Sequence, residues 1–334
     1  MAELRKYLQT SIENKIAIKK IVEAIRDNNR FLIVAHSNPD GDSVGSQVAL
    51  ELAIEALGKN AIIFSEDKIP DNYCFLSDGR NVIYSLPNID DFDVVFILDC
   101  SELKRVGKSF QEISSAKLLM NIDHHYSNMG FCHISVIDSK ASATAELVYA
   151  VISELGITIT PDIANALYAG ILTDSGGFCY SSTTSVSLQI ASRLVEAGAI
   201  PQLVSENIYA NSPLAKIKLF SQALLSLTVC ANGKIGYLVV KQEDFAKTGA
   251  LPEHTEGLVD LPRSIKGVDV SILFTQVETN YFKISMRSQG DINVAEVAKA
   301  FDGGGHINAA ACRCYGLFEE LSDKIIASIE KILD

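Results

Sequence analysis

The sequence predicts an α/β protein: an N-terminal domain built on a parallel-rich sheet flanked by helices, and a smaller C-terminal α/β domain with a mixed sheet. Three observations predict it. Short runs such as Arg30 to Ala35 and Asp93 to Leu98 are apolar without alternation, as in strands buried on both faces. Stretches of helical period separate these runs, giving strand, polar loop, helix. Beyond Pro213 the pattern changes to strands joined closely enough to be antiparallel, as between Gln276 and Tyr281, with helices among them.

Each element has its own warrant. Ile12 to Asn28 carries Ile16, Ile18, Ile21, Val22 and Ile25 on one broad stripe, so it is a helix packed on a sheet. Strand Arg30–Ala35 follows, then a helix from Gly45 to Leu57. Ala61 to Phe64, Asp93 to Leu98, Leu118 to Ile122 and Phe131 to Ile137 are the further strands of this part. Helices are expected at Ala143 to Leu155, Pro161 to Leu172 and Ser185 to Ala197, the last closed by Gly198. Pro201 to Pro213 has no sheet pattern and reads as a connector. In the second part, strands are expected at Lys234–Val240, Val268–Gln276 and Tyr281–Ser288, with helices at Glu243–Thr248, Val294–Phe301 and Leu317–Leu333.

Four strand or helix ends carry the chemistry-bearing residues. In parallel α/β sheets, ligands bind at the carboxyl ends of the strands. The first strand ends in His36-Ser37-Asn38-Pro39-Asp40-Gly41-Asp42-Ser43, with one imidazole and two carboxylates in seven residues. Two close carboxylates raise each other's pKa unless a cation holds them. A polar turn with an N-cap aspartate explains the same residues, since Pro-Asp-Gly is a turn signal. Asp99 ends the next buried strand, and Arg105 follows it. Arg105 either holds this loop through a carboxylate or reaches a substrate phosphate. Asp123-His124-His125 ends the strand after that. Three adjacent polar groups at a buried strand tip each need a partner, and a divalent ion would serve all three. Two hydrogen-bonded histidines near a turn are the alternative. Asp174 closes the helix from Pro161, where the negative dipole end disfavours a carboxylate without a cation; a solvated aspartate before a glycine cap is the other reading. Thr144 and Glu146 read as ordinary helix-start residues.

Pooled, His36, Asp40, Asp42, Asp99, His124, His125 and Asp174 exceed the needs of one ion. Carboxylate and imidazole without thiolate suit a first-row ion such as Mn²⁺ more than a structural Zn²⁺. Two ions sharing a carboxylate is the economical arrangement, and such sites serve phosphoryl transfer. In the second part, Asp302-Gly303-Gly304-Gly305-His306 offers backbone amides to an anion. Arg287-Ser288 ends the strand before it. A guanidinium and an imidazole over a glycine platform suit a phosphate or nucleobase; a flexible loop is the plain alternative.

Composition narrows the class. The chain has 334 residues, 48% of them hydrophobic, enough for a sizeable core, and a net charge of −12. So acidic a surface argues against duplex DNA as a partner. No apolar run approaches the length of about 18 residues that a membrane span needs. Met1 to Lys20 lacks a signal-peptide apolar core. The seven cysteines form no CxxC pair, which points to reduced thiols in the cytoplasm.

These motifs resemble those of a known family. His-x-x-Pro-Asp-Gly-Asp-x-x-Gly-Ser at 36–46, Asp-x-Ser at 99–101, Asp-His-His at 123–125 and Thr-Asp-Ser-Gly at 173–176 resemble the four motifs of the DHH phosphoesterases. Arg287-Ser288 and Gly-Gly-Gly-His at 303–306 resemble the associated DHHA1 domain. The set spans almost the whole chain in the right order. One position departs: Ala311 stands where the family often has glycine. The resemblance implies a DHH catalytic domain over 1–200, a linker over 201–220 and a DHHA1 substrate domain over 221–334. It implies two Mn²⁺, one on His36, Asp40 and Asp99, the other on Asp42, Asp99, His124 and Asp174, with Asp99 bridging. It further implies that Asp123 orients His124 and that His125 contacts the scissile phosphate. Arg105, Arg287, Ser288, Gly303, Gly304, Gly305 and His306 would contact the rest of the substrate. The nearest subgroup is the bifunctional oligoribonucleases that also hydrolyse 3′-phosphoadenosine 5′-phosphate (pAp). The implied activity is hydrolysis of short RNA or pAp to nucleoside monophosphates by a metal-activated water. Cyclic di-AMP or pApA hydrolysis in the same family, and a non-catalytic nucleotide sensor, are the alternatives. A two-fold dimer is the expected assembly.

Overall fold

The computed structural model describes residues 11–333, without the side chain of His306. It divides into two compact units, one ending at Asn211 and the other beginning at Ser212.

In the first unit, helix α1 (Ile12–Asp27) leads into β1 (Arg30–Val34), α2 (Gly41–Glu55), β2 (Asn60–Phe64), β3 (Val82–Ile83), β4 (Val94–Leu98), β5 (Leu119–Asp123) and β6 (Ile134–Ile137). The strands form one sheet of order β3-β2-β1-β4-β5-β6, and every pairing is parallel. The continuous apolar runs follow from burial on both faces. Phe31, Ile33, Val94, Phe96 and Leu98 enter one core, while Leu32, Val34, Val95 and Ile97 enter the other. Strand order reverses between β1 and β4. That crevice is where open α/β sheets bind ligands, and the sequence could not show it.

Helix α2 begins at Gly41, four residues before the sequence pattern suggested. Asp40 is its N-cap: its carboxylate accepts from Ser43 N at 3.0 Å, and Ser43 Oγ accepts from Asp40 N at 2.9 Å. Asp42 therefore lies in the first helical turn, not in a loop. Helices α3 (Thr144–Leu155) and α4 (Pro161–Asp174) pack on α2. Two glycines permit the close approach. A Cβ on Gly45 would stand 2.3 Å from Ala166 O, and one on Gly170 would stand 2.7 Å from Ala145 Cβ and 2.9 Å from Asp42 Oδ1. Helix α5 (Ser185–Glu196) follows. The expected connector from Pro201 instead holds α6 (Pro201–Tyr209), with Val204 fully buried in the first core. Proline at its first position suits a helix start, and the short apolar stripe was too brief to read.

The second unit begins with α7 (Leu214–Leu224), also absent from the sequence reading, and β7 (Thr228–Cys230). Then come β8 (Ile235–Val240), α8 (Gln242–Thr248), β9 (Val270–Glu278), β10 (Tyr281–Ser288), α9 (Val294–Lys299), β11 (Gly304–His306), β12 (Ala309–Tyr315) and α10 (Phe318–Leu333). The sheet order is β11-β12-β10-β9-β8-β7, antiparallel except for the parallel pair β8–β9. One face packs on α9 and α10 through Phe282, Ile284, Met286, Ala310 and Cys312. On the other face, α7 and the segment Leu258–Ser264 cover β8 and β9. Gly304 and Gly305 of the glycine triplet thus lie in an edge strand, with Gly303 just before it.

Candidate metal centre and active site

The ends of β1, β4 and β5 and the facing ends of α2 and α4 bring together every metal-ligand candidate of the first unit. Asp99 follows β4 with φ +54°, a left-handed conformation that a non-glycine residue adopts at a cost. Its two oxygens then point to different partners. Oδ2 lies 3.3 Å from His36 Nε2, and Oδ1 lies 3.6 Å from His124 Nε2. His36 Nε2 is also 3.6 Å from Asp40 Oδ2. His124 Nε2 is 3.1 Å from Asp174 Oδ2 and 4.0 Å from Asp42 Oδ2. Two groups able to hold a cation result, His36–Asp40–Asp99 and Asp42–His124–Asp174, with Asp99, His124 and His125 forming a third overlapping set.

The other ring nitrogens are engaged. His36 Nδ1 lies 2.8 Å from Ser37 O, and His124 Nδ1 lies 3.2 Å from Ala141 O. A carbonyl can only accept, so each Nδ1 carries hydrogen and each Nε2 faces the carboxylates as a potential ligand. The relation of Asp123 to its neighbours differs from the expectation. Its Oδ1 lies 2.7 Å from His125 Nδ1, and no hydrogen bond joins it to His124 among the described residues. Asn128 Nδ2 donates to Asp123 Oδ2 at 2.7 Å. Asp123 thus orients His125, because at the strand tip alternate residues share a face while the intervening His124 points away. His125 Nε2 in turn lies 3.5 Å from Arg105 Nη1. Arg105 forms no carboxylate pair among the described residues; its backbone O accepts from Ser37 N at 2.7 Å and ties the two loops together.

Two residues read as plain helix starts belong to this centre. Thr144 Oγ1 donates to Asp99 Oδ1 at 3.0 Å, and the N–H groups of Thr144 and Ala145 donate to Asp42 at 2.6 and 2.9 Å. The N-terminus of α3 therefore cradles Asp42. Glu146 accepts from Ser142 N and Oγ and fixes the turn that leads into α3. Nothing in the sequence marked Thr144, since its role depends on where α3 lands.

The electrostatics fit divalent cations. Burial, then repulsion from Asp99 and Asp174, pushes Asp42 well above the usual carboxylate range. Burial, then Asp99 and Asp40, does the same to Asp174. Burial alone would lower His36, but hydrogen bonds and charge from Asp40 and Asp99 outweigh it and raise the imidazole to about 11. The cluster thus takes up protons to offset its own charge, and cations would replace those protons. The nearby Cys100 is not a thiolate ligand: burial pushes it up, and its Sγ donates to Glu102 O.

In the second unit, Arg287 Nη1 donates to Met286 O at 3.1 Å, and Ser288 Oγ donates to Ile292 O at 2.6 Å. Ser288 is buried and holds the turn after β10, so it shapes the site instead of facing a ligand. Cβ atoms on Gly303 and Gly305 would each stand 2.3 Å from a backbone oxygen of β12, whereas one on Gly304 would meet nothing. Gly304 leaves a bare surface. The His306 side chain lies outside the described residues.

Residues 30–171 match the model of the DHH family, N-terminal domain, and residues 232–334 match that of the DHHA1 domain. The uncharacterized protein MG371 of Mycoplasma genitalium is 31% identical over 306 residues, 88% of this chain and 89% of its own length. The chain belongs to the DHH–DHHA1 family. As a member of the DHH–DHHA1 family it is a hydrolase. The bifunctional oligoribonuclease and PAP phosphatase NrnA of Thermus thermophilus is 29% identical over 302 residues, 90% of this chain and 89% of that protein. Among solved structures, an exopolyphosphatase-related protein from Bacteroides fragilis superposes with a TM-score of 0.91 at 27% identity, covering 96% of this chain and 98% of that one.

Proposed function

We propose that the protein is a Mn²⁺-dependent phosphoesterase that hydrolyses short oligoribonucleotides and pAp to nucleoside monophosphates. The observation that carries this reading is Asp99, which offers one oxygen to each of two carboxylate–imidazole groups. The relative named as an oligoribonuclease and PAP phosphatase supports the substrate class, since it aligns over 90% of the chain.

His36, Asp40 and Asp99 would hold one ion and Asp42, Asp99, His124 and Asp174 the other. Bound there, two such ions supply a lowered water pKa and charge neutralisation at the phosphoryl group. The chain's own part is positional. Thr144 and the start of α3 hold Asp99 and Asp42 in place before any ion arrives. Asp123, itself fixed by Asn128, keeps the hydrogen of His125 on Nδ1. The Arg105 guanidinium, 3.5 Å from Nε2 of that ring, then donates to phosphate oxygens of the substrate, with the His125 ring packed beside them. Arg287, Gly303 and the Gly304–His306 strand are the substrate contacts assigned to the second unit. The free state of all seven cysteines supports work in the reducing cytoplasm. No helix is long and apolar enough to cross a membrane among the described residues.

The test is turnover of pAp, pApA, cyclic di-AMP, a five-residue RNA and pyrophosphate by purified protein with Mn²⁺. Release of AMP from pAp and monophosphates from the RNA is the expected result. Turnover of none of the five would sink the hydrolase assignment and favour a sensor, while exclusive turnover of cyclic di-AMP or pApA would redirect the substrate.

A further inference from the structure

The second sheet carries a feature that the glycine strand and Arg287 do not account for. Residues of β10 and β12 alternate between the helix-covered face and the opposite one. On that opposite face, register places Arg287 beside Ala309, Ser285 beside Ala311, Lys283 beside Arg313 and Tyr281 beside Tyr315. Gly304 of β11 continues the Ser285–Ala311 row. A bare floor of small residues thus lies between Arg287 on one side and the Lys283–Arg313 pair on the other. The two tyrosine rings stack at the far end, with centroids 4.2 Å apart, and Tyr315 is 76% exposed.

Three cations are gathered here on a chain of net charge −12. None of the three forms an ion pair among the described residues, although Lys234, Arg80 and Arg263 elsewhere do. Lys283 and Arg313 are exposed and directly opposite one another, a pairing that like charges disfavour. Lys283 is drawn below the usual lysine range, first by loss of water around its stem and then by Arg313 and Arg287. An anion would relieve that repulsion. Glu278, in register with Tyr281 on β9, is the carboxylate that bounds the face at its aromatic end.

We propose that Lys283, Arg313 and the stacked Tyr281–Tyr315 pair form a track for single-stranded RNA, continuing the substrate surface that starts at Arg287 and Gly304. The proposal deepens the oligoribonuclease reading and rests on it. From Arg287 to Tyr281 the strand runs about 20 Å at about 3.3 Å per residue, longer than one nucleotide. The cations would follow the phosphates and the exposed ring would take a base by stacking, the combination that binds single strands without sequence preference. Substrates with several phosphodiesters would use the whole track, and pAp only its Arg287 end.

The experiment compares K283A/R313A and Y315A with the parent protein on pAp and on a five-residue RNA. In the double variant the KM for the RNA rises about tenfold with kcat retained, while pAp hydrolysis changes less than twofold. Binding of the same RNA, labelled, to the metal-free Asp99→Asn protein is read by fluorescence anisotropy across a salt series. Each phosphate neutralised on a single strand contributes about 0.7 to the salt slope, so the slope falls by about 1.4 in the double variant. K283R restores the slope contribution of its position. Unchanged RNA binding and KM would overturn the track, as would an equal loss for pAp and RNA, which marks a structural defect. If the parent hydrolyses neither substrate, the catalytic reading fails, and the anisotropy series still decides whether the face binds RNA.

Discussion

Asp99→Asn separates charge from shape at the residue both cation groups share. The amide keeps an oxygen to accept from Thr144 Oγ1, which lies 3.0 Å from Asp99 Oδ1, so the local fold should persist. What is lost is one negative charge and one of two ligand oxygens, 3.3 Å from His36 and 3.6 Å from His124. Losing one electrostatic contact of this kind costs roughly 10²–10³ in rate. Because both groups draw on Asp99, a fall of roughly 10⁴ in kcat/KM is expected. Stability gives an independent reading. In the parent, each ion at a hundredfold excess over its Kd adds about 2.7 kcal/mol. For a unit of this size that is roughly 5–10 °C per ion, at about 2–4 °C per kcal/mol. The variant should lose most of that Mn²⁺-induced rise in Tm. Its metal-free Tm should change less than the Mn²⁺-induced shift does, since relief of the repulsion on Asp42 and Asp174 is set against loss of the attraction that Asp99 gives His36 and His124. Differential scanning fluorimetry with and without Mn²⁺, beside pAp turnover, makes the measurement. A variant with the parental Mn²⁺ shift and full activity would refute the shared-ligand geometry.

Asp123→Asn should lower kcat by about 10²-fold while leaving the Mn²⁺-induced Tm shift intact, because Asp123 bonds His125 and not a ligand of either group; a collapse of the metal shift would return Asp123 to His124. Gly170→Ala places a methyl 2.7 Å from Ala145 Cβ and 2.9 Å from Asp42 Oδ1, and should cost about 1–3 kcal/mol in denaturant unfolding; a stability equal to the parent's would show that the α2–α3–α4 contact is slack. Glu51 is fully buried, with Oε2 lacking a hydrogen bond and Arg80 3.6 Å away, and burial raises its carboxyl above the ordinary range. A raised folded pKa penalises the native state above the unfolded value of about 4.3 and not below it. Glu51→Gln should therefore raise Tm at neutral pH, with the gain shrinking to nothing as pH falls through that value; a gain independent of pH would point to packing instead.

Much of this protein is written locally. The buried runs of β1 and β4, the helical stripes of α1 and α4, and the cap signals around Asp40 and Pro161 are set by side-chain period and turn chemistry. Those properties belong to neighbouring residues, so they were legible. The ligand candidates were legible too, because imidazoles and carboxylates at the tips of apolar strands are costly without partners. Helices α6 and α7 were not, since each is short and its burial depends on what it packs against.

Sequence alone determined which residue types stand at the strand ends and hence what kind of ion could bind there. Tertiary structure decided how they are shared. The strand reversal between β1 and β4 brings His36 to Asp99, the close packing of α2 and α4 brings Asp42 to Asp174, and the landing of α3 delivers Thr144 to both carboxylates. It also decided that Asp123 serves His125 and that Lys283 faces Arg313. The reason is physical: period and propensity act over a few residues, whereas pairing, register and helix contact join atoms more than a hundred positions apart.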